Sequence, residues 1–265
     1  MQRSRKVRWK EIGMTEDRWD GQKYRENSDS QERFALMGVD RLALQGHERV
    51  LDVGCGDGRV TAEIARRVPR GRVLGIDASA SMIAACTESH RDQANLAFQV
   101  ADATAFRVDE PFDAAVSFSA LHWVADLSAA VARIHAALKP GGALLIGMGG
   151  AQHGVIAEVF RRERWRQAMT GRPRTFHGRA REELDAILKE GGFVQVDVHA
   201  IEGERIYPSE QALLDWIMAW LPHASGLAGD AALELGQEIV AAAARPGQGE
   251  IAWRSTLLVA RATRG

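Results

Sequence analysis

The stretch Asp52-Val53-Gly54-Cys55-Gly56-Asp57-Gly58 sets three glycines at alternate positions behind a short apolar run, with a carboxylate two residues before the first. Glycine there lets the backbone turn tightly and approach a ligand, and the helix that follows offers free N–H groups. The spacing Gly-x-Gly-x-Gly is not the Gly-x-Gly-x-x-Gly of dinucleotide sites. Together with Asp52 it suits a ligand that carries an ammonium and a sulfonium and lacks a pyrophosphate. Asp77, nineteen residues past Gly58, ends the next strand pattern, where a carboxylate can accept both ribose hydroxyls. Asp102 ends a third and can accept from an adenine amino group. A glycine turn alone is often structural, and Asp77 alone also suits a helix cap. Three carboxylates at successive strand ends, in register with one glycine loop, point to one ligand.

Those carboxylates require strands that end where they stand. Glu48 to Val53 reads as a buried strand entering the glycine turn, and Val60, Ile64 and Val68 mark a helix that stops at Pro69. The alternation repeats. A strand over Arg72 to Ile76 ends at Asp77, a helix runs through Met82 and Cys86, and strands follow at Leu96 to Val100 and Phe112 to Phe118. A helix carrying Leu127, Val131, Ile134 and Leu138 is stopped by Pro140-Gly141-Gly142, and a fifth strand spans Ala143 to Met148. Upstream, Ser28-x-x-Gln31 is a capping box for a helix with Ala35, Val39 and Leu42 on one face. Strands alternating with helices predict a doubly wound α/β fold with a mostly parallel sheet and helices on both faces.

Past residue 150 the rhythm loosens. A helix around Leu184, Ile187 and Leu188 stops at Gly191-Gly192, a strand covers Phe193 to Val198, and a last strand covers Ser255 to Ala260. More than fifty residues separate these two strands, too many for a plain connection. They include a helix from Ser209 with Leu213, Ile217, Trp220 and Leu221 on one side, and an alanine-rich helix from Asp230 to Ala244. This reads as a helical cap inserted over the sheet, at about residues 201–252.

The whole chain sets the bounds. Its 265 residues, 46% apolar and 26% charged with net charge -1, describe one ordinary globular domain over residues 15–265. Near-neutrality argues against a large phosphate-binding surface and so against nucleic acid; the partner expected is a small molecule. Residues 1–14 form a basic tail, with Arg3, Arg5, Lys6, Arg8 and Lys10 against Glu11, expected to be disordered. No apolar segment follows them, so they are no secretory signal. Met14 begins a stretch that reads as complete without the first thirteen residues. Cys55 and Cys86 are the only cysteines, which argues against a disulfide framework and for a reducing, cytoplasmic setting. No apolar run approaches the roughly 18 residues of a membrane span, and no histidine or cysteine spacing reads as a metal site.

These motifs carry a resemblance. Val50 to Gly58, the strand end Gly75-Ile76-Asp77, Asp102-Ala103 and Leu138-Lys139-Pro140-Gly141-Gly142 resemble the successive motifs of class I S-adenosylmethionine-dependent methyltransferases, in order over roughly residues 19–262. The resemblance implies a seven-stranded sheet whose last strand is antiparallel, with S-adenosylmethionine as cofactor. It implies that Gly54 and Gly56 line the methionine moiety, Asp77 the ribose, and Asp102 with Ala103 the adenine, with Asp52, Cys55 and Ala78 also at the cofactor. Met82 is expected against the adenine, although a Met at helical spacing equally fits core, and Ser119 is expected at the methionine end.

A narrower likeness is to trans-aconitate 2-methyltransferase and its relatives. It lies in Trp19-Asp20 with Tyr24, in Leu121-His122-Trp123, and in Tyr207-Pro208-Ser209 leading to Asp215-Trp216. It implies an N-terminal lid at about residues 15–45 that brings Trp19 and Tyr24 to the cofactor, with His122, Trp123 and Tyr207 toward the acceptor. His122 stands where that family can carry a glutamine; it is the candidate catalytic residue, weighed against plain packing beside Trp123. Arg172, Arg174, His177 and Arg205 are candidate anion contacts. A carboxylate acceptor needs no base, whereas a phenol, amine or thiol does. The competing readings are an RNA or protein methyltransferase, a non-catalytic S-adenosylmethionine-binding protein and, against the glycine spacing, an NAD-dependent oxidoreductase.

Overall fold

The computed structural model describes residues 35–150, 154–172, 175–244 and 249–265. Ser28, Gln31, Trp19, Tyr24 and Arg174 lie outside them. Seven strands form one sheet in the order β3-β2-β1-β4-β5-β7-β6. They are β1 (Arg49–Val53), β2 (Arg72–Asp77), β3 (Leu96–Val100), β4 (Phe112–Phe118), β5 (Leu138–Gly149), β6 (Phe193–Tyr207) and β7 (Ile251–Arg264). Strands β1 to β5 pair in parallel, and β7 runs antiparallel between β5 and β6. The order reverses at β1, whose two neighbours are β2 and β4, and ligands of open α/β sheets sit beyond the carboxyl ends at such a point.

Side-chain alternation along β1 explains the two covered faces. Val50 packs with Ile64 and Ala65 from α1 (Arg59–Arg67) and with Val68 just past it, while Leu51 and Val53 pack with Leu127, Val131 and Ile134 from α3 (Leu127–Ala137). Helix α2 (Ala80–Ser89) connects β2 to β3, and α6 (Arg181–Glu190) adds Leu184 and Leu188 to the α3 side. Leu138, expected at the end of a helix, instead opens β5 and pairs with Phe112, with a register shift before Ala114. A residue buried on either element keeps the same apolar spacing, so the pattern could not separate them.

A third core stands apart from the sheet's two faces. It is built from α4 (Val155–Arg161), α5 (Glu163–Ala168), α7 (Glu210–Met218), α8 (Leu221–Ser225) and α9 (Gly229–Ala243). Val159, Trp165, Leu213, Ile217, Leu235 and Ile239 pack there against Tyr207, Ile251 and Trp253 at the far ends of β6 and β7. Its seam is polar: the Trp165 indole N–H donates to Glu238 at 2.8 Å, and Arg162 and Arg164 each reach the same carboxylate at 3.0 Å. Strands β6 and β7 run well past Val198 and begin before Ser255, so the connection between them is shorter than expected. Among the described residues no helix is long and apolar enough to cross a membrane, and no cluster of side chains could hold a metal ion.

Candidate active site

The glycine loop leaves β1 by folding over the end of β2, where Gly54 and Cys55 donate their N–H groups to the Ile76 carbonyl at 2.7 and 3.0 Å. Gly54, Gly56 and Gly58 adopt φ of +77°, +54° and +79°. Gly58 also lacks room, because a Cβ there would meet Cys86 Cβ at 2.7 Å. Gly56 faces open space, with nothing within 4 Å of a Cβ placed on it. Its backbone therefore has room for a ligand to approach.

Asp77 closes β2 and ties the loop to the next helix. Oδ2 accepts the Gly56 N–H and Oδ1 accepts the Ser79 N–H, both at 2.9 Å. Ser79 in turn caps α2 by accepting from Met82 N at 3.1 Å. Asp77 thus holds the residue that caps the helix rather than capping it itself, and its carboxylate is half-buried. Ala78 beside it is exposed. Asp102 is exposed beyond β3, with Oδ1 accepting from Thr104 N and Oγ1 at 2.7 Å each, and Ala103 is half-buried next to it.

Three residues expected at the cofactor have side chains turned into the protein. Asp52 is 2% exposed and accepts from Thr61 Oγ1 at 2.7 Å. Burial pushes its pKa up to about 7; the Thr61 hydrogen bond opposes this and the Asp77 carboxylate adds to it. Cys55 lies against Cys86, Ile83 and Phe98, and a hydrogen bond with Cys86, together with burial, raises its thiol pKa. Both thiols are free. Met82 is buried within α2, so its side chain belongs to the core.

The segment after β4 forms the opposite wall. Ser119 holds a left-handed φ of +53° while donating its N–H to Gly147 O at 2.8 Å. Such a conformation is costly for a non-glycine residue and concentrates at functional sites. Leu121–Trp123 is a short 3₁₀ turn. The His122 ring is buried between Trp123 and Phe176, each 5.0 Å away between centroids, and Nδ1 accepts the backbone N–H of Gly149 at 3.1 Å. Burial lowers its pKa to about 3, so the ring is neutral across the physiological range. The His122 carbonyl accepts the His177 N–H at 2.6 Å, and the His223 ring of α8 stands 6.4 Å from Trp123, bringing the capping helices to this wall.

The remaining candidates are placed elsewhere. Tyr207 is buried in an aromatic cluster with Trp216, which also meets Trp220 and Trp253, inside the third core. Arg205 lies over the Tyr207 ring at 4.8 Å. Arg172 bonds the carbonyls of Ala168 and Gly226, bracing α5 against α8. Phe176 and Gly149 escaped the sequence reading, and nothing local marks them, since both act on His122 through long-range contacts. Helices α4 and α5 were also missed, although Val155, Val159 and Ile156, Phe160 are spaced for one apolar face.

Sheet order and glycine loop define a doubly wound α/β protein whose strand order reverses at β1, with the loop and two strand-end carboxylates on that side. Comparison with known proteins narrows this. Residues 50–142 match a family described as "Methyltransferase domain". A relative from Invertebrate iridescent virus 6 is 34% identical over 128 residues, covering 48% of this chain and 47% of its own, so the chain spans about half the length of that relative. Trans-aconitate 2-methyltransferase of Shigella flexneri serotype 5b is 29% identical over 201 residues, 76% of this chain and 78% of the relative. In fold, the chain is similar to the YcgJ protein of Bacillus subtilis, with TM-score 0.64 and 16% identity over 88% of this chain and 98% of that one. It is also similar to Haemonchus contortus phosphoethanolamine N-methyltransferase 2 in complex with S-adenosyl-L-methionine, with TM-score 0.60 and 22% identity over 88% and 52%. Residues 50–142 thus carry the match to a methyltransferase domain, and they hold the glycine loop, Asp77 and Asp102.

Proposed function

We propose that this chain transfers the methyl group of S-adenosylmethionine to a carboxylate oxygen of a small organic acid. The observation that carries the reading is the likeness to trans-aconitate 2-methyltransferase, because it spans 76% of this chain and so extends beyond the cofactor-binding half. The third core agrees with it, since helices covering the sheet's end favour an acceptor small enough to be enclosed.

The cleft residues fit the cofactor. The open face at Gly56 admits close approach, Asp77 sets a carboxylate at the end of β2 for the ribose hydroxyls, and Asp102 with Ala103 offers an acceptor beside an apolar contact for adenine. Gly54, Ser119 and the Asp52 end of β1 stand toward the methionine moiety. When bound, S-adenosylmethionine supplies an electrophilic methyl on a sulfonium with a good leaving group. The chain's own task is then to hold the acceptor in line and exclude water. An ionised carboxylate needs no proton removed.

Incubating the protein with S-adenosylmethionine and a panel of small acids, amines, phenols and thiols, read by product mass, tests the reading. Methylated acids are expected. Methylation confined to amines, phenols or thiols would reject it.

A further inference from the structure

We propose that His122 selects an ionised carboxylate acceptor by presenting Nε2–H as a fixed hydrogen-bond donor to one carboxylate oxygen. This rests on the carboxylate reading above and assigns it a residue. Nδ1 receives the backbone N–H of Gly149 at 3.1 Å. An amide N–H only donates, so Nδ1 must be the lone-pair nitrogen, and a neutral imidazole then carries its single proton on Nε2. Trp123 and Phe176 pack on the ring, and their apolar cover disfavours a second proton.

A ring in this state has no lone pair left for a substrate proton. Acting as a base through Nε2 would require the other tautomer, which sets an Nδ1–H against the Gly149 N–H. Gly149 is held at the end of β5 by pairing with Leu257, and a Cβ on it would meet Phe176 at 3.2 Å. The donor that fixes the tautomer is thus itself fixed. Among the described residues, the His177 backbone N–H reaches the His122 carbonyl and the His223 ring stands 6.4 Å from Trp123.

Position connects the donor to the reaction. His122 lies two residues beyond Ala120, which abuts Gly54 of the cofactor loop. With one carboxylate oxygen held by Nε2–H, the other oxygen forms the new C–O bond as the C–S bond breaks. The bonding pair leaves on sulfur as a neutral thioether, and no proton changes place. An amine, thiol or phenol arrives protonated and meets a second donor where it needs a base, so the same geometry disfavours it.

Replacing His122 by Leu removes the donor and keeps bulk, and His122→Gln returns a neutral N–H. For an acid the protein methylates, His122→Leu is expected to raise KM about 10- to 100-fold with kcat changed less, the range for a lost hydrogen bond to a charged group. S-Adenosylhomocysteine affinity should stay at the wild-type value, which also certifies folding. His122→Gln should recover most of the KM, and kcat/KM should stay level from about pH 6 to 8. In the wild-type protein, ¹⁵N NMR should show a protonated Nε2 and a bare Nδ1. A bare Nε2, or a wild-type KM in His122→Leu, overturns this inference while methyl transfer to acids stands. If no acid is methylated, the carboxylate reading falls and takes this inference with it, whatever the tautomer.

Discussion

Gly54 and Ala120 approach so closely that a Cβ on Gly54 would lie 2.1 Å from the Cβ of Ala120. The loop after β1 and the segment after β4 therefore meet in one contact. Gly54→Ala meets both this clash and a φ of +77°, and should destabilise the fold by roughly 2–5 kcal/mol. Gly56→Ala meets open space and should cost only the roughly 1–2 kcal/mol of a left-handed alanine. Its larger effect should fall on cofactor affinity. Urea titration beside calorimetry separates the two, and equal stability loss in both variants would contradict the distinction.

Asp77 already accepts from Gly56 and Ser79, so its carboxylate is oriented before any ligand arrives. Asp77→Ala should weaken S-adenosylmethionine binding by about 1–3 kcal/mol, since ribose hydroxyls would lose a charged acceptor. Unchanged affinity by calorimetry would remove Asp77 from the cofactor site.

Asp52 makes the folded protein bind a proton that the unfolded chain has released. Its folded pKa is about 7, against roughly 3.9 unfolded. The stability it contributes is present below about pH 4 and is lost as pH rises toward 7, a span on the order of 4 kcal/mol. Asp52→Asn should remove that loss, seen as a melting temperature that rises relative to wild type as pH increases over the same interval.

His122 acts with the opposite sign. Its folded pKa is about 3, against roughly 6.5 unfolded, so its stability is present above about pH 6.5 and is lost as pH falls toward 3. His122→Gln should be relatively more stable than wild type in acid. Between about pH 4 and 6.5 the two groups offset each other in wild type. The single variants should therefore show opposite pH slopes, and slopes of the same sign would contradict the burial of one of the groups.

Much of the fold was legible because buried parallel strands have short apolar runs with sharp ends. Strands β3 and β4 have the bounds their sequences imply, and the carboxylates stand at the ends of β2 and β3 as expected. The long β6–β7 hairpin was only half legible. Residues 199–206 are mostly exposed and owe their strand state to pairing with 252–259, which leaves little apolar periodicity. Side-chain direction in the glycine loop was not legible, and so Asp52 and Cys55 were expected at a cleft that their side chains do not face. The tautomer of His122 was beyond reach for the same reason, because Gly149 lies twenty-seven residues away and is brought close only by the pairing of β4 with β5.

The most direct test of the account uses S-adenosylmethionine carrying a labelled methyl group and an acid that the protein turns over. The account predicts S-adenosylhomocysteine in equal amount to a labelled product whose methyl is released as methanol by mild alkali, the signature of a methyl ester. A labelled product stable to alkali would place the methyl on nitrogen, carbon, sulfur or a phenol oxygen and contradict the carboxylate assignment.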